Sequence, residues 1–288
     1  MARRDNVSMD WSEIVVSPFS FGFMRDALHM SLLIAVMCGM LGILLVPRGL
    51  SMLGDGLAHA TLGGVGGGLL LGMAPENALW AAMPFAVLLA MGIAWLGRKA
   101  KLQGDAALGV FFSVSLAAGI AAVHIASRRG VGIDIESILF GNILAVQASD
   151  VLVVVALSVV CVFILAWAAP KIAYAGFYPD MAAMSGVKVV FQEYLLMALT
   201  AVVTVTAVRA VGVLLVSAYL VIPTVTARML SRRLGSMMLL SAGTGVLGSA
   251  TGLIISYHFD IPSGAAMTLV LGIIFGVALG VRGLRQGV

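Results

Sequence analysis

Long apolar runs separated by short polar breaks recur along the whole chain. Nine stand out, at approximately 28–46, 50–73, 78–96, 106–125, 150–169, 193–209, 211–227, 236–256 and 263–281. A helix crosses the hydrocarbon core of a bilayer with about 20 predominantly apolar residues, so each run has the character of a spanning helix. Runs 193–209 and 211–227 are divided by little more than Ala210. A tight re-entrant turn or a broken helix there leaves eight spans in place of nine. The pattern predicts an all-α polytopic membrane protein with eight to nine transmembrane helices.

The polar breaks carry the orientation. "GRKAKLQGD" (97–105) and "ARMLSRRLG" (227–235) hold three basic residues each. With these two loops inside, the outside keeps only Arg3, Arg4, Arg25, Arg128, Arg129 and Arg209, and the inside gathers the other eleven of the 17 Lys and Arg residues. Cytoplasmic loops carry the excess of Lys and Arg, which predicts the N-terminus out and the C-terminus in.

Two connections exceed a turn. Residues 126–149 lie outside and include "GIDIESILFGN"; residues 170–192 lie inside and include "YAGFYPDMAAMSGVKV". In the inner one, Pro179 and Asp180 read as a helix start and Gly186 as a stop. A short cytoplasmic helix follows, whether as an ordinary connection or as a docking element. Residues 1–27 are mixed and polar, an outer or interfacial segment without the compact order of a removable signal peptide. Residues 28–288 form one transmembrane domain, with the inner segment near 171–190.

Composition agrees with the pattern. The chain is 61% hydrophobic and 10% charged, against about 25% charged in soluble domains. Its mean hydropathy is +1.10. The net charge of +4 does not point to nucleic acid, because the basic residues are scattered between apolar runs. Cys38 and Cys161 sit inside such runs and read as small buried hydrophobes.

One stretch breaks the apolar rule. "GLSMLGDGLAHATLGG" (49–64) puts Asp55 and His59 four residues apart among glycines. That spacing places both on one helical face. With a helix starting near Leu50, His59 lies about 14 Å along it, close to the bilayer midplane. An ionisable group at that depth costs several kcal/mol unless it finds a partner or water, and is a functional candidate by default. Imidazole with carboxylate suits divalent zinc, iron or manganese. Two ligands from one helix do not close a site, and a second subunit could supply another pair. The bland alternative is that Asp55 caps the span and His59 is a satisfied core residue. Gly56, Ala60, Gly64 and Gly68 form a small-residue ridge for close packing, and Gly63 and Gly67 continue the Asp55–His59 ridge.

The other histidines offer less. His258 and Asp260 in "SYHFDIPSG" read either as an outer-mouth metal contact or as a solvated loop, and His29 and His124 lie at span ends. Pro223 is a candidate bend or gate in an inner span. There is no H-E-x-x-H, and no lysine follows a glycine, so neither a zinc-protease helix nor a Walker A loop is present. Any ATP hydrolysis belongs to a separate subunit.

Four stretches carry a resemblance. "LVPRGLSMLGDGLAHATLGGVGGGLLLG", "DIESILFGNILAV", "VGVLLVSAYLVIPTVTARML" and "DIPSGAAMTLV" occur in the order found in the membrane permease subunit of bacterial zinc, manganese and iron ABC importers, which the chain resembles from about residue 24 to 281. The resemblance implies a permease fold of the vitamin B12 and siderophore importer type, in the bacterial cytoplasmic (inner) membrane. It implies a second permease, identical or homologous, a cytoplasmic ATP-binding subunit, and an extracytoplasmic protein that delivers the metal. Asp55 and His59 match motif positions expected in the translocation path. Residues Pro179, Asp180, Met181, Ala182, Ala183, Met184 and Gly186 match the helix that couples to the ATPase. The implied cargo is manganese, zinc or iron, with manganese or zinc foremost, and no permanently bound cofactor is implied. Rival readings are a gradient-driven metal transporter or channel, a permease for a metal chelate, and an intramembrane enzyme.

Overall fold

The computed structural model describes residues 20–100, 104–128 and 148–286, and no strand occurs among them. The N-terminal expectation for residues 1–19 and the outer stretch "GIDIESILFGN" fall outside the described residues. The chain runs through α1 (Gly22–Leu45), a 3-10 turn (Val46–Arg48), α2 (Leu53–Leu70), α3 (Pro75–Ala100) and α4 (Gly104–Arg128). It continues through α5 (Ala148–Phe177), α6 (Pro179–Met184), α7 (Val189–Val211), α8 (Val213–Leu230), α9 (Leu234–Phe259) and α10 (Ser263–Gln286).

Among the described residues, seven helices are long and apolar enough to cross a membrane: α1, α3, α4, α5, α7, α9 and α10. The two remaining expected runs became α2 and α8. Glycines, Asp55 and His59 lower the hydropathy of α2, and the apolar part of α8, Leu215–Leu230, is short. The ambiguous pair of runs is two helices joined at one residue. Gly212 closes α7 by donating its N–H to the Val208 carbonyl at 3.0 Å, and it does so at φ 84° and ψ 167°. Only glycine occupies that region without strain.

α1 and α7 lie at the centre and are mostly buried, whereas α4, α5 and α10 keep most of their surface outward. Their outward residues include Val114, Phe163, Trp167, Leu269 and Ile273, as lipid contact requires. Near the ends of α3 and α5, Lys99 lies 5.0 Å from the Trp95 ring and Lys171 lies 4.6 Å from the Trp167 ring. Such Trp and Lys pairs suit the membrane–water interface.

Small residues bring the inner helices together. A β-carbon at Gly39 would lie 3.1 Å from the Ala242 nitrogen of α9, and one at Gly245 would lie 3.1 Å from the Ala35 β-carbon of α1. Gly42 faces the Leu220 carbonyl and Thr224 of α8 without room for a side chain. In lipid this close packing, with hydroxyls that find partners, replaces the hydrophobic drive. Accordingly the Tyr219 hydroxyl, buried between α8, α9 and α10, bonds Ser249 and donates to the Met267 sulfur at 3.3 Å.

The expected short helix is present as α6, with Pro179 in its first turn and Gly186 beyond its end at φ 80°. Ala182 alone is buried in it. α8 runs as helix through Pro223, which is buried within it.

Candidate metal site

α2 owes its position to its glycines. It lies between α3 and α4 and also touches α7 and α8. A β-carbon at Gly64 would come within 2.5 Å of the Ala82 Cα, and one at Gly56 within 2.8 Å of Leu108. The ridge of Gly56, Ala60, Gly64 and Gly68 therefore seats α2 against its own chain's α3 and α4. From Leu53 to Leu69 every residue is buried except Asp55, His59, Gly63 and Gly67. These four recur at i, i+4 and form the single open stripe of the helix. Beside Gly67 there is no atom within 4 Å of where a β-carbon would stand.

Asp55 and His59 share this stripe, as their spacing requires. His59 Nε2 lies 3.8 Å from Asp55 Oδ1, with side chains 26% and 38% exposed. That is ion-pair distance for a protonated imidazole and too long for a hydrogen bond. The two do not satisfy one another as a closed pair. The Phe112 ring of α4 stands edge-on to the imidazole, 5.6 Å away, and limits its swing.

The helix starts at Leu53, three residues later than expected from the sequence. His59 therefore lies about 9 Å into a helix about 27 Å long. Within the helix, the pair occupies the first two turns. The capping alternative also lacks its geometry. Met52 holds the cap position with no side-chain hydrogen bond, and Asp55 lies inside the first turn, where a carboxylate meets the positive end of the helix dipole.

Two ligands each about 2.1 Å from a tetrahedral ion stand about 3.4 Å apart. The observed 3.8 Å reaches that by a small rotation of either side chain. Among the described residues no group of three His, Cys, Asp or Glu side chains converges. Asp55 and His59 are thus two candidate ligands on an open stripe, and any further ligand would have to come from elsewhere.

His258 and Asp260 stand at the far end of α9 and are exposed. Asp260 ends that helix at φ 53°, and His258 lies edge-on to Tyr257 at 5.4 Å. The structure does not bring them to Asp55 and His59. Pro223 lies one turn beyond Leu220, whose side chain fills the space against Gly54 of α2, so the candidate bend borders the start of the site helix. α6 presents Met181 and Met184 outward, with Phe177 and Tyr178 beside them. Two contacts were not legible in the sequence. Phe112 is one more aromatic in an apolar run, and Arg48 looked only like a loop charge, yet its guanidinium donates to the Ile172 carbonyl of α5.

The fold recurs in solved transporters. The structure of PsaBC from Streptococcus pneumoniae in complex with Fab superposes with a TM-score of 0.79 at 31% identity, covering 93% of this chain and 94% of that one. An inward-facing transporter of metal-chelate type shares the fold alone, at TM-score 0.56 and 14% identity over 86% of this chain and 84% of that one. The molecule is thus a multi-pass, all-helical membrane permease of the ABC type. Residues 20–282 match the ABC 3 transport family, and the chain belongs to that family. Among its relatives are the manganese transport system membrane protein MntC of Listeria innocua, 36% identical over 90% of both chains. The manganese import system permease protein ScaB of Streptococcus gordonii is 34% identical over 92% of this chain and 94% of its own.

Proposed function

We propose that this chain is the permease subunit of an ATP-driven importer of a divalent transition-metal ion, manganese foremost, and that Asp55 and His59 hold the ion in transit. The observation that carries this reading is the single open stripe of α2, on which the only two ionisable residues of that helix stand 3.8 Å apart. The manganese names of relatives at 34 to 36% identity support manganese over zinc and iron. A carboxylate ligand also suits manganese better than a soft sulfur site would.

In this reading the N-terminus and the end of α9 face outward, and α6 faces the cytoplasm. A binding protein delivers the ion to the outer mouth, near His258 and Asp260. The ion sheds part of its water and takes Asp55, His59 and the equivalent pair from a second permease. An ATP-binding subunit docks against the exposed methionines of α6. ATP-driven closure shifts α6 and reopens the path on the other side. Differential affinity of the two states for the ion drives release, since a site equally good in both shifts nothing.

The test is metal uptake by the assembled transporter, with ATP hydrolysis followed in parallel, for wild type, Asp55→Ala and His59→Ala. Loss of one ligand is expected to cut manganese uptake at least about tenfold while assembly and basal ATP hydrolysis persist. Undiminished uptake in both variants would make the pair structural and move the path elsewhere.

A further inference from the structure

Arg48 makes a contact that its place in a loop does not suggest. It ends the 3-10 turn that leads from α1 into α2, seven residues before Asp55. Its guanidinium donates to the carbonyl of Ile172, deep in the last turns of α5. A β-carbon at Gly176, one turn further along α5, would collide with that guanidinium, so the glycine makes the seat in which Arg48 lies. α5 passes into α6 within three residues of Gly176.

The same corner holds a cavity of about 340 Å³. It is lined by Pro47, Arg48 and Leu50 before α2, by Gly176 and Pro179 at the α5–α6 junction, and by Glu193 of α7. Glu193 also accepts from Arg98 of α3 at 3.3 Å. Around this space, one polar contact ties the approach to α2 to the end of α5 before α6, and a second ties α3 to α7. The Nε of Arg48 is buried and has no hydrogen-bond partner, so the guanidinium is held chiefly through its far end, at Ile172.

We propose that Arg48 is a positioning residue that ties the start of α2 to the α5–α6 junction, so that displacement of α6 reaches the Asp55–His59 stripe through it. The cavity gives the junction room to move, and the guanidinium makes the start of α2 follow. This inference rests on the reading above for the roles of α6 and the metal pair. Arg48 does not touch the ion.

The experiment compares wild type, Arg48→Ala, Arg48→Lys and Gly176→Ala in the full transporter with its ATP-binding subunit. Three quantities are read: manganese taken up per ATP hydrolysed, manganese affinity of the permease, and hydrogen exchange of the amides of residues 49–57. Arg48→Ala and Gly176→Ala are expected to lower uptake per ATP by roughly 2- to 30-fold, the range of mutational effects on coupling. Affinity stays within about twofold, and the amides of 49–57 exchange faster while those of α9 and α10 do not change. Arg48→Lys, which keeps a donor for the Ile172 carbonyl, restores part of the ratio. A purely structural role would lower uptake and ATP hydrolysis together and would not separate the lysine from the alanine variant. A wild-type ratio in both Arg48→Ala and Gly176→Ala overturns the proposal. A wild type without ATP-dependent uptake would instead sink the transport reading, and the exchange data would still decide whether Arg48 holds the two elements together.

Discussion

At the scale of single residues, helical spacing sorts Gly64 and Gly67 of α2 onto different ridges, and the structure shows what each one faces. Gly64 faces Ala82 so closely that a β-carbon would stand 2.5 Å from its Cα, whereas Gly67 faces open space. Gly64→Ala must push α2 away from α3, and overpacking of this sort costs about 1–3 kcal/mol. Gly67→Ala should leave stability unchanged. Thermal unfolding of the purified protein in detergent checks the contrast, and equal midpoints for the two variants would contradict the helix placement. The same division governs the site. That Asp55 and His59 share a face was legible from their spacing of four. That Gly63 and Gly67 continue their ridge was legible in the same way, but that this face is the open one depends on α3 and α4 covering the other sides. Spacing fixes the relation of two residues on one helix and leaves open which way the helix turns.

At the scale of elements, the apolar runs gave the number and order of the helices, because crossing a bilayer demands length and hydropathy together. Their ends were less legible. α2 starts at Leu53 because the preceding residues form a 3-10 turn around Pro47 and a left-handed Gly49 at φ 72°, a local geometry that an apolar window does not register. The break between α7 and α8 falls at Gly212 for the same reason, beyond Arg209 and Ala210. α6 was legible from its proline start and glycine stop, which are backbone signals independent of lipid. Its surface makes a prediction: Met184 is 90% exposed, so Met184→Glu has no folding cost to carry. The variant should reach the membrane at wild-type levels, yet co-purify with much less of the ATP-binding subunit and lose uptake in proportion. Retention of full ATPase association would assign α6 to an ordinary connection.

At the scale of the whole molecule, the proposed metal pair sets an expectation for the assembly. One chain gives a carboxylate and an imidazole on an open stripe, and among its described residues no third ligand of the His, Cys, Asp or Glu type converges on them. A bound ion needs four or more ligands, so either water fills the rest or a second permease brings its own pair. Water would leave a weak and poorly selective site, since selectivity in such sites comes from geometry and ligand set. A facing permease would give two carboxylates and two imidazoles around one ion. On this stripe the approach of another helix is sterically open beside Gly67, where nothing from a neighbouring element stands within 4 Å of a β-carbon position, whereas Gly63 already faces Ser115 and Phe85. The expected stoichiometry is therefore one manganese ion per two permeases, measured by elemental analysis of transporter purified in detergent and washed free of loose metal. Asp55→Ala in both permeases should bring the bound ion toward zero. One ion per permease would mean that each chain completes its own site with water or with residues outside those described, and the shared path between two stripes would have to be abandoned.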